Sequence, residues 1–311
     1  MKDIDVLVIG RSCVDNIAVV ERFPQENTKE SLLFRLKEAG GQGGTASCCI
    51  ARLGAKVTYW GHLGDDEEGC FCFKRLEDFH VDTEFVKFIK GGATPLAYIF
   101  ITRESGNRTI IYEKNSLPKL IPQELSNILS HPVKVILLDP EVTYLARDVR
   151  NLAGDDVKIV YDCERWQTDI RNMMETADFF IPSFDFFQAA ELNLSGLSFD
   201  RQMFRLDEMV RGELVVTAGA QGAYYLYRDQ LFRVPAPSVE VKDTTGAGDN
   251  FHAAFSAAVS MGYDMPSAVK LSVAVGSLSC REYGGRAGIP DLAEARNLSE
   301  TLKEQVVATR M

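Results

Sequence analysis

The chain has 311 residues, 46% hydrophobic and 25% charged, so it can bury a sizeable core, arranged as one large α/β domain or as two domains. Its formal charge of −10 leaves no basic footprint for a phosphate backbone, which argues against nucleic acid as a partner. No apolar run nears the roughly 18 residues of a membrane span, and the acidic start Met1-Lys2-Asp3 lacks the basic opening of a signal peptide, so no membrane partner and a cytoplasmic location are expected.

Residues 5–10 form a short β-branched apolar run ending in glycine, the pattern of a buried parallel strand. No dinucleotide fingerprint follows, since the next residues are Gly10-Arg11-Ser12-Cys13-Val14-Asp15. Residues 16–38 carry two apolar runs, 17–20 and 31–36. A helix-like stretch at 45–53 and a strand at 56–61 come next. Residues 93–114 read as a β-hairpin, with strands at 96–102 and 108–113 around the turn Glu104-Ser105-Gly106-Asn107. Together 16–38 and 93–114 are expected to form a small discontinuous β lid on a single domain spanning 1–311.

Further along, helix-like stretches at 123–129 and 143–153 alternate with strands at 133–138, 158–161, 179–181 and 213–217. That rhythm predicts an α/β fold with a mainly parallel central sheet and helices on both faces. The tail, 291–311, reads as a charged amphipathic helix. The seven cysteines form no C-x-x-C pair. Cys70 and Cys72 lie near His62 and His80 in the sequence, but free cysteine more often acts as a small buried hydrophobe, and that reading is preferred to a metal site.

The most informative segment is residues 239–255, where a strand runs into Asp243-Thr244-Thr245-Gly246-Ala247-Gly248-Asp249 and helical apolar spacing begins at Phe251. Small residues at a helix start let an anion approach free amides at the positive end of the dipole. Asp249 in the first turn can cap the helix. Placed beside such an anion hole, it can also take the proton of an attacking hydroxyl. No G-x-x-x-x-G-K-[ST] loop occurs. Asp15, which follows the first strand at the mouth of the sheet, could cap a turn or accept two hydroxyl hydrogen bonds from a polyol.

Residues 243–249 resemble, at every position, the carboxy-terminal signature of the PfkB, or ribokinase-like, family of carbohydrate and nucleoside kinases. The amino-terminal signature is similar to Glu38-Ala39-Gly40-Gly41-Gln42-Gly43-Gly44-Thr45-Ala46, with 51–55 and 61–69. The resemblance implies a ribokinase-like fold and phosphorylation of a sugar hydroxyl with ATP and Mg2+. It makes Asp249 the base and Gly246, Ala247 and Gly248 the anion hole. Asp15, Gly40, Gly41, Gln42, Thr45 and Glu141 become substrate contacts, although Thr45 stands where the family commonly has Asn. Thr217, Gly219, Gly222, Thr244 and Thr245 are placed on the nucleotide side.

The family's N-x-x-E element is replaced by Ser183-Phe184-Asp185-Phe186, which leaves Asp162, Glu164 and Asp185 as candidates for holding metal. A monovalent cation, K+, is expected near Asp243, Thr245, Ser279 and Gly284. Gly-Gly-Arg-Ala-Gly-Ile-Pro at 284–290, with Thr45 and the altered N-x-x-E, resembles the sulfofructose-kinase branch. An anionic substrate would then call on a lid cation such as Lys29, Arg35 or Arg108. A homodimer through the lid is expected from the family. The alternatives are a nucleoside kinase of the same fold and a non-catalytic sugar- or nucleotide-binding relative.

Overall fold

In the computed structural model, which describes residues 2–104 and 106–310, the chain opens with β1 (Ile4–Ile9), β2 (Cys13–Val20), β3 (Leu32–Gly40) and α1 (Gln42–Arg52). Next come β4 (Val57–Gly64), α2 (Glu67–Asp78), β5 (Val86–Ile89), β6 (Leu96–Thr102) and β7 (Arg108–Tyr112). Helix and strand then alternate through α3 (Pro122–Ile128), β8 (Val133–Leu138), α4 (Ala146–Ala153), β9 (Lys158–Cys163), α5 (Ile170–Thr176), β10 (Phe179–Pro182), α6 (Phe199–Asp207) and β11 (Glu213–Thr217). The chain closes with β12 (Ala223–Tyr227), β13 (Gln230–Val234), α7 (Ala247–Ser260), α8 (Met265–Ser279), α9 (Leu292–Ser299) and β14 (Gln305–Thr309).

Ten strands form one sheet in the order β14-β13-β12-β11-β10-β9-β8-β1-β4-β5. The pairs from β5 across to β11 are parallel, and β12, β13 and β14 add antiparallel at one edge. The parallel strands are apolar throughout because helices cover both faces, and alternate residues feed alternate layers. Val6 and Val8 pack with residues of α1, α7 and α8, while Leu7 and Ile9 pack with residues of α3 to α6.

The tail differs from expectation. Asp291 caps α9 by accepting the Glu294 amide at 2.9 Å, the helix ends at Ser299, and Gln305–Thr309 then extends the sheet as β14. The β-branched sequence Gln-Val-Val-Ala-Thr suits an edge strand better than a helix. Met311, included in that expected helix, lies outside the described residues, as does Ser105 of the expected hairpin turn.

A second sheet has the order β3-β2-β6-β7 and comes from the two segments that interrupt the alternation. Ile17, Val19, Ala97, Ile99 and Ile101 line its inner face and pack with Leu36 and with Tyr283 from the main body. Arg75 of α2 holds its base, donating from Nε and Nη2 to the two Glu38 carboxylate oxygens at 2.9 and 3.1 Å. The outer face carries Tyr98 opposite Ile111, 49% and 58% exposed. No helix among the described residues is long and apolar enough to cross a membrane.

Candidate active site

The carboxyl ends of the parallel strands share one edge, where open α/β sheets gather their ligands. At this edge the chain enters α7 through Gly246, whose φ of 74° is cheap only for glycine. A Cβ there would also stand 2.6 Å from Gly285 Cα, so the turn packs backbone on backbone. The helical ladder opens with Asn250 N–H donating to Gly246 O at 2.8 Å, which leaves the amides of Gly248 and Asp249 without helical partners. Nothing lies within 4 Å of a Cβ built on Gly248, so an anion can come close.

Asp243 ties this turn together. Its Oδ1 accepts the Thr245 amide at 2.8 Å and hydroxyl at 2.7 Å, and its Oδ2 accepts the Gly284 amide at 2.8 Å. Ser279 lies close by in the chain, its hydroxyl donating to Gly276 O at 2.9 Å. Thr244 meets the second sheet: Arg108 of β7 donates from Nη1 to its hydroxyl at 2.7 Å. Arg108 pairs in register with Ile101 and so lies on the inner face, whereas Arg35 pairs with Ala18 on the outer face. Lys29 is exposed in the connection between β2 and β3.

Asp249 is half-buried in the first turn of α7. Burial raises its pKa to about 6, the nearby His252 and Arg108 pull it down, and the charges of Asp15 and Glu164 push it up. His252 is 4% exposed and faces two carbonyls, Gly248 O at 2.6 Å from Nδ1 and Ile181 O at 3.0 Å from Nε2. Burial holds it below its ordinary value, and its ring nitrogen holds the Gly248 carbonyl in the first turn of α7. Asp162, at the end of β9, lies 3.5 Å from His252 Nε2, and burial together with Asp249 and Glu164 raises it well above the usual carboxylate range. Asp185 stands apart on an exposed turn, accepting from Gln188 at 3.3 Å.

Asp15 of β2 is 7% exposed, and burial raises it to about 6 against the pull of the Cys13 thiol, Arg286 and Arg11. A Cβ at Gly40 would collide with the Asp15 carboxylate, and one at Gly41 would stand 2.6 Å from Arg11 O. The glycines thus press the start of α1 against the loop after β1. Arg286 is 1% exposed and donates from Nη2 to Gly40 O at 3.0 Å, while its Nε and Nη1 have no partner. Gln42 opens α1 half-buried, and Thr45 is 2% exposed beside Gly285. Glu141 follows β8 and lies 3.6 Å from Arg11 Nη1.

On the other side, Thr217 ends β11 and bridges to Ser183. Gly219 opens a short 3-10 turn whose surroundings leave space, and Gly222 closes it where a side chain would strike Val234 O. Two residues passed over in the sequence matter here. Asp139, 3% exposed, accepts the amides of Arg11 at 2.6 Å, Glu141 at 2.9 Å and Gly43 at 3.3 Å. His252 carries no local signal beyond its place on the helix. Cys72 is buried with its thiol on Cys13 O at 3.2 Å while Cys70 is exposed, and no three metal ligands gather among the described residues.

Residues 3–292 match the sequence pattern described as pfkB family carbohydrate kinase. The ribokinase of Bacillus subtilis is 25% identical over 300 residues, covering 94% of this chain and 99% of the relative. The deoxyribokinase of Salmonella typhimurium is 28% identical over 304 residues, covering 93% and 97%. Among solved structures, Arabidopsis thaliana ribokinase complexed with ribose and ATP superposes with a TM-score of 0.79 at 21% identity, over 96% of this chain and 99% of that one. An Escherichia coli structure described as ribokinase II in complex with ATP and Mg2+ gives 0.77 at 22%, over 96% and 99%. With a helix start whose first amides are free, an acid in its first turn and a family match across nearly its whole length, this chain belongs to the pfkB family of carbohydrate kinases.

Proposed function

We propose that the chain transfers the γ-phosphoryl group of ATP to a hydroxyl of a sugar or sugar derivative held between the two sheets. One observation carries this reading: the Asp249 carboxylate sits beside the unpartnered amides at the start of α7 and feels the charge of Asp15. Asp15 would accept hydroxyl hydrogen bonds from the sugar and orient it. Asp249 would accept the proton of the attacking hydroxyl, and the free amides of Gly248 and Asp249 would take up charge spreading over the transferred group. Arg108, already on Thr244, adds a guanidinium to that charge when the second sheet lies over the cleft.

ATP and Mg2+ come to this reading from the related structures. Mg2+ would neutralise phosphate charge; it keeps most of its waters and takes one or two carboxylates. Asp162 and Glu164 fit that need, since both raise or share the crowded negative field around Asp249. For K+, the Asp243 carboxylate already receives three protein donors, so a cation at that knot would share its oxygens with Thr245 and Gly284.

The second sheet acts as the lid in this reading, and its apolar outer face suits a second copy of the chain. Leu33, Tyr98 and Ile111 are 44%, 49% and 58% exposed there. Ile111→Asp is expected to shift the mass measured by light scattering from dimer to monomer; a wild-type chain that is monomeric at micromolar concentration removes the dimer. The activity itself is tested by ATP consumption over a panel of pentoses, hexoses, ketoses, sugar acids, sugar phosphates and nucleosides. Turnover with a sugar is expected. Turnover confined to nucleosides would redirect the reading, and none at all would leave a binding protein.

A further inference from the structure

A cavity of about 60 Å³ opens beside the sugar-facing loop after β1, lined among others by Arg11, His62, Pro118, Lys119, Glu141 and Tyr144. None of residues 246–249 lines it, while Gly10 and Arg11 of the loop after β1 do. Its volume suits a carboxylate-sized group, or about two water molecules.

Three observations describe what such a group would meet. First, Arg11 is underused. Its Nε is buried without a partner, and its Nη1 lies 3.6 Å from Glu141 Oε2, too long for a hydrogen bond. The guanidinium carbon lies 5.9 Å from the Tyr112 ring centroid, which fixes its place. Second, the Lys119 ammonium lies 4.4 Å from the Tyr144 ring centroid and has no carboxylate partner among the described residues.

Third, His62 Nδ1 lies 2.9 Å from Pro118 O, which can only accept, so Nδ1 carries the proton. In the neutral ring Nε2 is then a bare acceptor, and it too is buried without a partner. Two cationic donors and one acceptor therefore line the cavity; the half-solvated Glu141 is the one carboxylate among the lining residues, and Asp139 and Asp249 add their charge to Arg11 from outside it.

We propose that this cavity is a subsite for the acidic end of the acceptor, a carboxylate held by Arg11 and Lys119 with its neighbouring hydroxyl donating to His62 Nε2. The acceptor is then a sugar acid, phosphorylated on a hydroxyl remote from its carboxylate. This rests on the kinase reading for the reaction, though not for the binding.

The test uses the full chain and a panel of five- and six-carbon aldonates and uronates, each against its neutral sugar, with affinity read by calorimetry and turnover by ATP consumption. At least one acid is expected to bind about tenfold or more tighter than its neutral counterpart. Arg11→Gln should abolish that preference, and Lys119→Gln, at an exposed position, should weaken it in a chain whose fold is not in question. Equal or tighter binding of the neutral sugar throughout the panel overturns the subsite, as does a preference that survives both substitutions. Neutral sugars phosphorylated without any preference for acids would leave the kinase reading standing and the subsite fallen. Acids bound but never phosphorylated, in a panel where neutral sugars turn over, would overturn the sugar-acid acceptor and leave the kinase reading standing; no turnover with any member would remove the kinase reading.

Discussion

Asp249→Asn is expected to lower kcat by about 10²–10⁴-fold, the usual worth of a positioned general base, while ATP affinity stays close to that of the parent chain. The amide keeps the shape and the helix start, so the anion hole survives; only the ability to accept a proton is lost. Steady-state kinetics with nucleotide binding by calorimetry separate the two effects, and full activity in the variant would remove Asp249 from the chemistry.

The pH dependence has a definite sign. Because the base must be ionised, kcat/KM should rise with pH through a limb near 6, where burial has moved both Asp249 and Asp15. The limb does not belong to Asp249 alone, since the charges of Asp15 and Glu164 act on it.

The same shift has a consequence for stability. A carboxyl whose folded value lies above its unfolded one favours the native state most at low pH, and that contribution is lost as pH rises through about 6. Asp249→Asn should therefore melt higher than the parent chain at pH 8 and alike at pH 4. An active-site charge held at the expense of stability gives this pattern; a simple helix cap would give the reverse.

Asp139→Ala should have the largest effect on stability, lowering the unfolding free energy by about 2–5 kcal/mol in denaturant titrations. The side chain accepts three amides from three separate segments, the loop after β1, the start of α1 and the turn after β8. A Cβ at Gly10 would collide with it, so the packing is as tight as the bonding. Alanine leaves those donors buried without acceptors and opens a gap beneath Arg11. Loss of less than about 1 kcal/mol would mean that water or rearranged backbone replaces the carboxylate. Burial raises Asp139 to about 7, so the parent chain should lose stability as pH rises through that value, and the variant should lack that slope.

Much of this was legible in the residues themselves. The parallel strands announced themselves as apolar runs because a strand covered on both faces needs no polar alternation, as in Val6-Leu7-Val8-Ile9. The helix start was equally plain, since Gly246, Ala247, Gly248 and Asp249 are consecutive and Gly246 takes the left-handed conformation that opens α7. The tail was misread because Gln305–Thr309 becomes a strand only through its partner β13.

The parallel sheet, the hairpin and the glycine-rich start of α7 could all be read from local pattern and backbone geometry. Only the tertiary structure brought Arg108 to Thr244 across 136 residues, Asp139 to the amides of Arg11 and Gly43, and His62 to the cavity beside Arg11. Those contacts join residues with no common periodicity, and their energies arise from burial and hydrogen-bond geometry that exist only once the separate segments have packed.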